Sequence, residues 1–292
     1  MDWRVKAAAF RLLSAMPFGS ALLLQLQRRV TREVPRREPA LHALLLAARR
    51  IQELYLEQVP PGSPSDRPFV EIGAGRDLAV ALALRMLGIK KITCVDVSRL
   101  ARLDLVQHAA SYMAHALNHE EPSFRSWADV EAFGICYHAP AAFEDMTGQA
   151  QTFACFYSTE VLEHIPPEGL GSVLAHARNL LTADGVSIHS IDYSDHYARS
   201  DRNLSRFNFL RFSSAAWQNY NPDLHYVNRM RHSELVRCFV NAGFEIIFNQ
   251  TTVTEPEEDI LQDLAEEFKS FSIEDLFTQR SWIVGRAATA AA

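Results

Sequence analysis

Residues 69–78 read Phe-Val-Glu-Ile-Gly-Ala-Gly-Arg-Asp-Leu. Four residues of strand character run into two closely spaced glycines and then into an apolar helical stretch, 78–87. Such a turn carries no side chains between its backbone amides and a ligand, and the following helix presents its N-terminus there. Two glycines alone specify little. Glu71 stands two positions before Gly73, and a second acid, Asp96, closes the next apolar strand about twenty residues on, where it can accept hydrogen bonds from both hydroxyls of a ribose. A dinucleotide site shares that ribose acid, but its third glycine would fall at position 78, which is leucine. An acid at 71 also suits a cationic ligand better than a pyrophosphate.

Outward from this turn the chain alternates. Strands are predicted at 69–72, 91–95, 134–137, 153–157, 186–191, 244–249 and 282–285, with helices at 78–87 and 101–118 between the first of them. Alternation of this kind predicts an α/β domain with a largely parallel sheet covered by helices on both faces. Ahead of it, 2–15, 19–30 and 39–59 have helical spacing, with Pro17 and Gly19 as punctuation. The Pro/Ser/Gly-rich segment 60–68 breaks all periodicity. A helical cap over 1–60 and a main domain over 66–292 are therefore expected.

Composition bounds the function. The chain has 292 residues, 48% of them apolar, and a net charge of −6. That is enough for one large core, and the wrong charge for gripping nucleic-acid phosphates. Residues 1–60 nevertheless hold ten Lys/Arg against five Asp/Glu, a basic element on an acidic body. Glu255 to Asp275 holds nine acids and one lysine, read as a solvated helix face with docking against the basic cap as the alternative. Cys94, Cys136 and Cys155 lie inside apolar strand runs, with no disulfide spacing. Arg4, Lys6 and Arg11 interrupt the first apolar stretch, and 21–26 is too short for a signal core or a membrane span. A cytoplasmic protein is expected, with no nucleic-acid partner and no membrane contact through the cap; the sequence gives no oligomeric state.

The sequence resembles the class I S-adenosylmethionine-dependent methyltransferases from about residue 66 to 286. Three motifs in order carry the resemblance: Glu71-Ile-Gly-Ala-Gly, the turn Val95-Asp96-Val97-Ser98, and Phe153-Ala-Cys-Phe-Tyr-Ser-Thr-Glu-Val-Leu-Glu-His-Ile-Pro. It implies a Rossmann-like seven-stranded sheet with an antiparallel last strand, and S-adenosylmethionine as cosubstrate. It implies further that Glu71, Gly73 and Gly75 line the methionine and ribose side, that Asp96 and Val97 lie at the ribose, and that Ala139 and Pro140 cover the adenine. Two features depart from the family pattern: Arg76-Asp77 follows the second glycine, and the usual acid or amide beside the adenine is missing at Ala141-Ala142, with backbone groups, or Glu144 and Asp145 nearby, as alternatives.

Tyr157 and Ser158, leaving the fourth strand, are expected to face the sulfonium. His164 is a candidate proton acceptor, or else the residue that holds the strand-to-helix turn. The stretch 193–232 mixes aromatics, amides and arginines without clean periodicity and reads as a substrate lid. Within it Tyr193, Asp195 and His196 are candidates for positioning or deprotonating a nucleophile, Trp217 and Tyr226 for pocket walls, and Arg229 and Arg231 for clamping an anion. His115 and His119, with His108 or Glu120 nearby, have metal spacing but belong to a helix outside the crevice, so no metal is assigned.

The expected activity is methyl transfer to a small or medium-sized metabolite, of the kind met in secondary metabolism. Two alternatives stand beside it. The capped arrangement also resembles azetidine-2-carboxylate synthases, which cyclise adenosylmethionine and release methylthioadenosine; Tyr157, Tyr193, Phe207, Trp217 and Tyr226 would then wall the pocket. The other alternative is a protein that binds the cofactor without catalysis.

Overall fold

A computed structural model describes residues 2–59 and 66–288. Seven strands form one sheet: β1 (Phe69–Ile72), β2 (Ile92–Val95), β3 (Ile135–His138), β4 (Phe153–Thr159), β5 (Leu181–Asp192), β6 (Phe244–Val253) and β7 (Thr278–Ala287). Their order is β3-β2-β1-β4-β5-β7-β6. The first five run parallel, while β7 pairs antiparallel with both β5 and β6. All seven expected strands are present, and β5, β6 and β7 run longer than their apolar cores. Strand order reverses beside β1, so the first strand turn opens on the crevice at the carboxyl ends of β1 and β4.

Helices α1 (Trp3–Ser14), α2 (Gly19–Arg29) and α3 (Glu38–Gln58) precede the sheet; α4 (Ala79–Met86), α5 (Leu103–Leu117), α6 (Trp127–Ala132), α7 (Pro167–Leu180), α8 (Ser214–Trp217) and α9 (His232–Asn241) follow in chain order. The sheet is apolar on both faces, as a parallel sheet must be. On one face Phe69, Cys94, Tyr157 and Ile188 pack with Leu82 and Ala83 of α4, Val106 and Met113 of α5, and Leu45, Ile51 and Leu54 of α3. On the other, Val70, Phe156 and Ile191 pack with Leu170 and Leu174 of α7 and Leu235 and Phe239 of α9. Helix α3, expected as part of a separate cap, shares the core of the sheet. The boundary placed at 60–68 falls mostly on residues outside those described.

Helix α1 goes elsewhere. Its N-cap is Asp2, whose carboxylate accepts from the amides of Arg4 and Val5. Trp3 and Ala7 are buried in a third cluster with Tyr197, Phe207, Phe209, Trp217 and Phe277. The Trp3 ring lies 4.8 Å from Tyr220 and 5.7 Å from Tyr197, centroid to centroid. The expected lid, 193–232, is thus a packed aromatic insertion closed by α1. The charges of the acidic stretch pair with this insertion, Arg211 with Asp259 and Asp263 and Arg229 with Glu267 at 2.8 Å, while its Ile260 and Phe268 share the third cluster with Trp3 and Ala7 of the cap. No helix among the described residues is long and apolar enough to cross a membrane.

Candidate active site

The turn after β1 is built around two left-handed glycines, Gly73 at φ +73° and Gly75 at φ +74°. A Cβ on Gly73 would stand 2.6 Å from both γ-carbons of Val161, so that position is closed to any side chain. At Gly75 a Cβ would meet only the Arg36 guanidinium, 4.0 Å away, which leaves the backbone open to a ligand. The Gly73 amide donates to the carbonyl of Val95, and the Gly75 amide donates to Asp96 Oδ2 at 3.1 Å. The carbonyl of Asp96 in turn accepts from the amide of Ala141 at 2.9 Å, bringing Ala139 and Pro140 beside it. Burial raises the Asp96 carboxyl to about 6 against the pull of the Gly75 amide. Val97, one residue on, is 74% exposed.

Glu71 lies beneath the turn. It accepts from Tyr157 Oη at 3.1 Å and from Cys94 Sγ at 3.4 Å, and burial lifts its carboxyl to about 8. Tyr157 is therefore spent on Glu71 in the core and does not face the crevice. Ser158 is turned to the opposite face of the sheet, its hydroxyl 2.7 Å from His189 Nδ1, with Ser187 Oγ 2.6 Å from Nε2 of the same ring. Strand alternation is the reason: Tyr157 and Ser158 project to opposite sides, and each meets core. Thr159 and Glu160, the next two residues, reach the crevice.

That crevice is a cleft of about 1010 Å³ between α3, the carboxyl ends of β1, β4, β5 and β6, and the amino end of the antiparallel β7. Arg36, Arg50, Arg199 and Arg280 line it with the carboxylate of Glu160, and each arginine also pairs with an acid: Arg36 with Asp77, Arg50 with Glu53, and Arg199 and Arg280 with Glu160 and Asp192. Arg199 bridges Asp192 at 2.7 Å and Glu160 at 3.1 Å, and Arg280 reaches Glu160 at 3.2 Å. Glu160 holds a left-handed backbone, φ +53°, at the end of β4. Burial works to raise the Asp192 carboxyl, but Arg199 and Ser194 outweigh it and hold it below the usual carboxylate range. Near the mouth, Arg36 pairs with Asp77 and Arg76 bonds Gln27, so the segment between α2 and α3 is strapped over the glycine turn.

His164 opens onto the cleft. Its Nδ1 donates to the carbonyl of Tyr226 at 2.6 Å, which leaves Nε2 toward the cleft, and partial desolvation by the surrounding turn lowers its pKa. Tyr226 acts through that backbone carbonyl and not as an aromatic wall. The other candidates of 193–232 are packed away from the cleft. Tyr193 is buried, 2.9 Å from Ser281 Oγ and 3.0 Å from His232 Nδ1, and burial pushes its phenol above the ordinary tyrosine range. Asp195 caps a short turn and accepts from Asn208. Trp217 sits in the third cluster. Arg231, fully buried, donates to the carbonyls of Tyr193, Leu276 and Thr278, and Arg229 to those of Phe209 and Phe212. Arg231 thus ties the insertion to the start of β7, and Arg229 ties it together and to Glu267, instead of waiting for an anion. His196 is buried behind His164, with ring centroids 5.0 Å apart. Glu160, Arg199 and Arg280, which sequence reading did not single out, supply the cleft's charge; only the spacing Glu160, Glu163, His164 within the third motif pointed toward them.

The strand order and the glycine turn after β1 are those of the class I S-adenosylmethionine-dependent methyltransferase fold. The chain belongs to that class of methyltransferases: a family model described as a methyltransferase domain matches residues 42–248. No curated protein matches it by sequence. Among solved structures, a geranyl diphosphate methyltransferase in complex with S-adenosylmethionine is 14% identical, covering 88% of this chain and 93% of its own, with a TM-score of 0.48. The geranyl diphosphate C-methyltransferase from Streptomyces coelicolor A3(2) is 13% identical over 89% of this chain and 88% of its own, TM-score 0.48. A CurJ carbon methyltransferase is 14% identical over 84% of this chain, TM-score 0.47, and there the match spans 54% of the other chain. Likeness of this degree says nothing about substrate.

Proposed function

We propose that this protein transfers a methyl group from S-adenosylmethionine to a small or medium-sized, anionic metabolite. The observation that carries the reading is the cleft beside the glycine turn, lined by four arginines and one carboxylate. A cavity of this size takes a metabolite and its cosubstrate, and its guanidinium groups match a carboxylate or phosphate in charge and fork geometry. When bound, S-adenosylmethionine supplies an electrophilic methyl on a sulfonium. The residues do the rest. Gly73 lets the turn pack against Val161, Gly75 leaves room for the ligand against the backbone, Asp96 takes the ribose hydroxyls, and Ala139 and Pro140 flank the adenine. Arg199 and Arg280 hold the acceptor from the β5 and β7 side, facing His164. A neutral imidazole with a free Nε2 can take a proton if the acceptor is a hydroxyl or amine. Enclosure between α3 and the sheet excludes water and aligns the two reactants.

The cyclising alternative draws no support from the site, because Tyr157, Tyr193, Phe207 and Trp217 are packed in the cores. The test is to titrate adenosylmethionine calorimetrically, then incubate the protein with it and an anion-exchange fraction of metabolites. Mass spectrometry should find S-adenosylhomocysteine together with one product heavier by a methyl. Methylthioadenosine formed without acceptor would overturn the reading, as would tight cofactor binding with every product confined to the neutral fraction.

A further inference from the structure

The end of β4 and the turn after β5 bring together three metal-binding side chains. Among the described residues, donor atoms of Glu163, His164 and His196 all lie within 4.8 Å of one another. Glu163 and His196 are 4% and 5% exposed, yet Glu163 Oε2 and His196 Nε2 have no hydrogen-bond partner among the described residues. Buried polar atoms without a partner are rare, and two of them within 4.8 Å of each other and of a third donor point to a ligand. His164 completes the set. With Nδ1–H committed to the Tyr226 carbonyl, its Nε2 lone pair is turned outward, the tautomer and support that metal-binding histidines use. Asn228 fixes the same turn, its amide donating to the Glu163 carbonyl at 2.8 Å and its side chain to Leu162 and Ile165.

We infer that Glu163, His164 and His196 form a binding site for a divalent transition-metal ion of the zinc or iron(II) class. Two imidazole nitrogens and one carboxylate select such an ion over magnesium or calcium, which prefer all-oxygen shells. Bonds of about 2.0–2.2 Å in a tetrahedral shell place donors about 3.3–3.6 Å apart, so donors separated by up to 4.8 Å close by about an ångström, a side-chain rotation, when the ion binds. Glu163 and His196 are buried while His164 opens onto the cleft, so the open coordination positions face the cleft and an anionic acceptor there could complete the shell. Asp192, with Oδ2 4.0 Å from His196 Nε2, and Glu160 offset the nearby charges of Arg199 and Arg280. This inference shares the cleft of the proposed methyltransferase but does not need the chemistry of that reading, and with the ion bound His164 Nε2 is a ligand and no longer a proton acceptor.

The experiment is a titration of chelator-treated full-length protein with Co2+, followed by visible absorption, with Zn2+ competition. One ion should bind per chain with ligand-field bands of a nitrogen- and oxygen-bound ion, and Zn2+ should displace it. Glu163→Gln and His196→Gln should each weaken binding by more than tenfold, while His115→Gln, on α5, leaves it unchanged. Far-ultraviolet circular dichroism and adenosylmethionine titration of each variant report whether the fold survives. Metal affinity equal to wild type in well-folded Glu163→Gln and His196→Gln would overturn the site, as would no binding below about millimolar Co2+ by the intact protein. Metal binding that is lost in the variants, in a protein that ignores adenosylmethionine, would sustain the site and sink the methyltransferase reading instead.

Discussion

Asp96→Ala tests the cofactor site most directly, because one buried carboxylate serves both the turn and, in this reading, the ribose. Two hydroxyl hydrogen bonds to a charged acceptor are each worth about 1.5 kcal/mol, so their removal should weaken adenosylmethionine by about 3 kcal/mol, roughly a hundredfold in Kd. The carboxyl titrates near 6, so lowering the pH discharges the acceptor before most carboxylates respond. At pH 5 about a tenth of it remains ionised, and wild-type affinity should be about tenfold weaker than at pH 7.5. The sign is fixed: the charged form binds, so affinity falls as pH falls through 6. Tyr137, Cys94 and Glu71 are the titratable neighbours. All three are shifted upward, and Glu71 changes charge only near 8, above the window. Calorimetric titration from pH 5 to 7.5 should show the decline in wild type and a flat, weak profile in Asp96→Ala. An unchanged Kd in the variant, or an equal pH slope in both proteins, would refute the assignment of Asp96 to the ribose.

Three further outcomes are expected. Gly73→Ala meets Val161 at 2.6 Å with φ +73°, so urea unfolding should show a loss of about 2–4 kcal/mol together with lost cofactor binding; adding Val161→Ala should restore part of the stability. Burial holds His189 at about 3 in the folded state, against about 6.5 unfolded, so its contribution is complete above 6.5 and lost as pH falls toward 3. Between pH 6.5 and 4.5, wild type should lose about 2 kcal/mol more than His189→Gln, and parallel losses in chemical denaturation would exclude this residue. Trp3→Ala should cost about 3–5 kcal/mol of docking energy and free α1, exposing sites between α1 and α3 to limited proteolysis while the sheet persists; an unchanged digestion pattern would mean that α1 is held by something else.

The sheet was legible because its strands are apolar runs separated by recognisable turns, and the glycine turn because its spacing has few other uses. The direction of individual side chains was not. Tyr157, Ser158 and Thr159 are consecutive, and which of them reaches the crevice depends on where β4 ends, a matter of one residue in seven. The aromatics of 193–232 looked like pocket walls because their lack of periodicity resembles a lid. In the fold the same residues make a small core with Trp3, a partner about two hundred positions away. Arg229 and Arg231 failed as anion clamps for a related reason: a buried guanidinium can be satisfied by backbone carbonyls, which leave no trace in sequence. Arg199 and Arg280 do reach the cleft, yet nothing in their local sequence separates them from the arginines that do not.

The placing of β7 between β5 and β6 bears on how the chain assembles. As synthesis proceeds, β6 is made before β7, the strand that must lie between it and β5, so β6 and the outer edge of β5 remain unpaired until residues 278–287 arrive. Until then β5 presents an open edge of an apolar sheet and β6 is a free ten-residue strand, the conditions under which chains join one another edge to edge. A chain stopped before Thr278 would therefore be expected to aggregate rather than fold into a smaller sheet, and chaperone dependence should fall away once the final strand has been made.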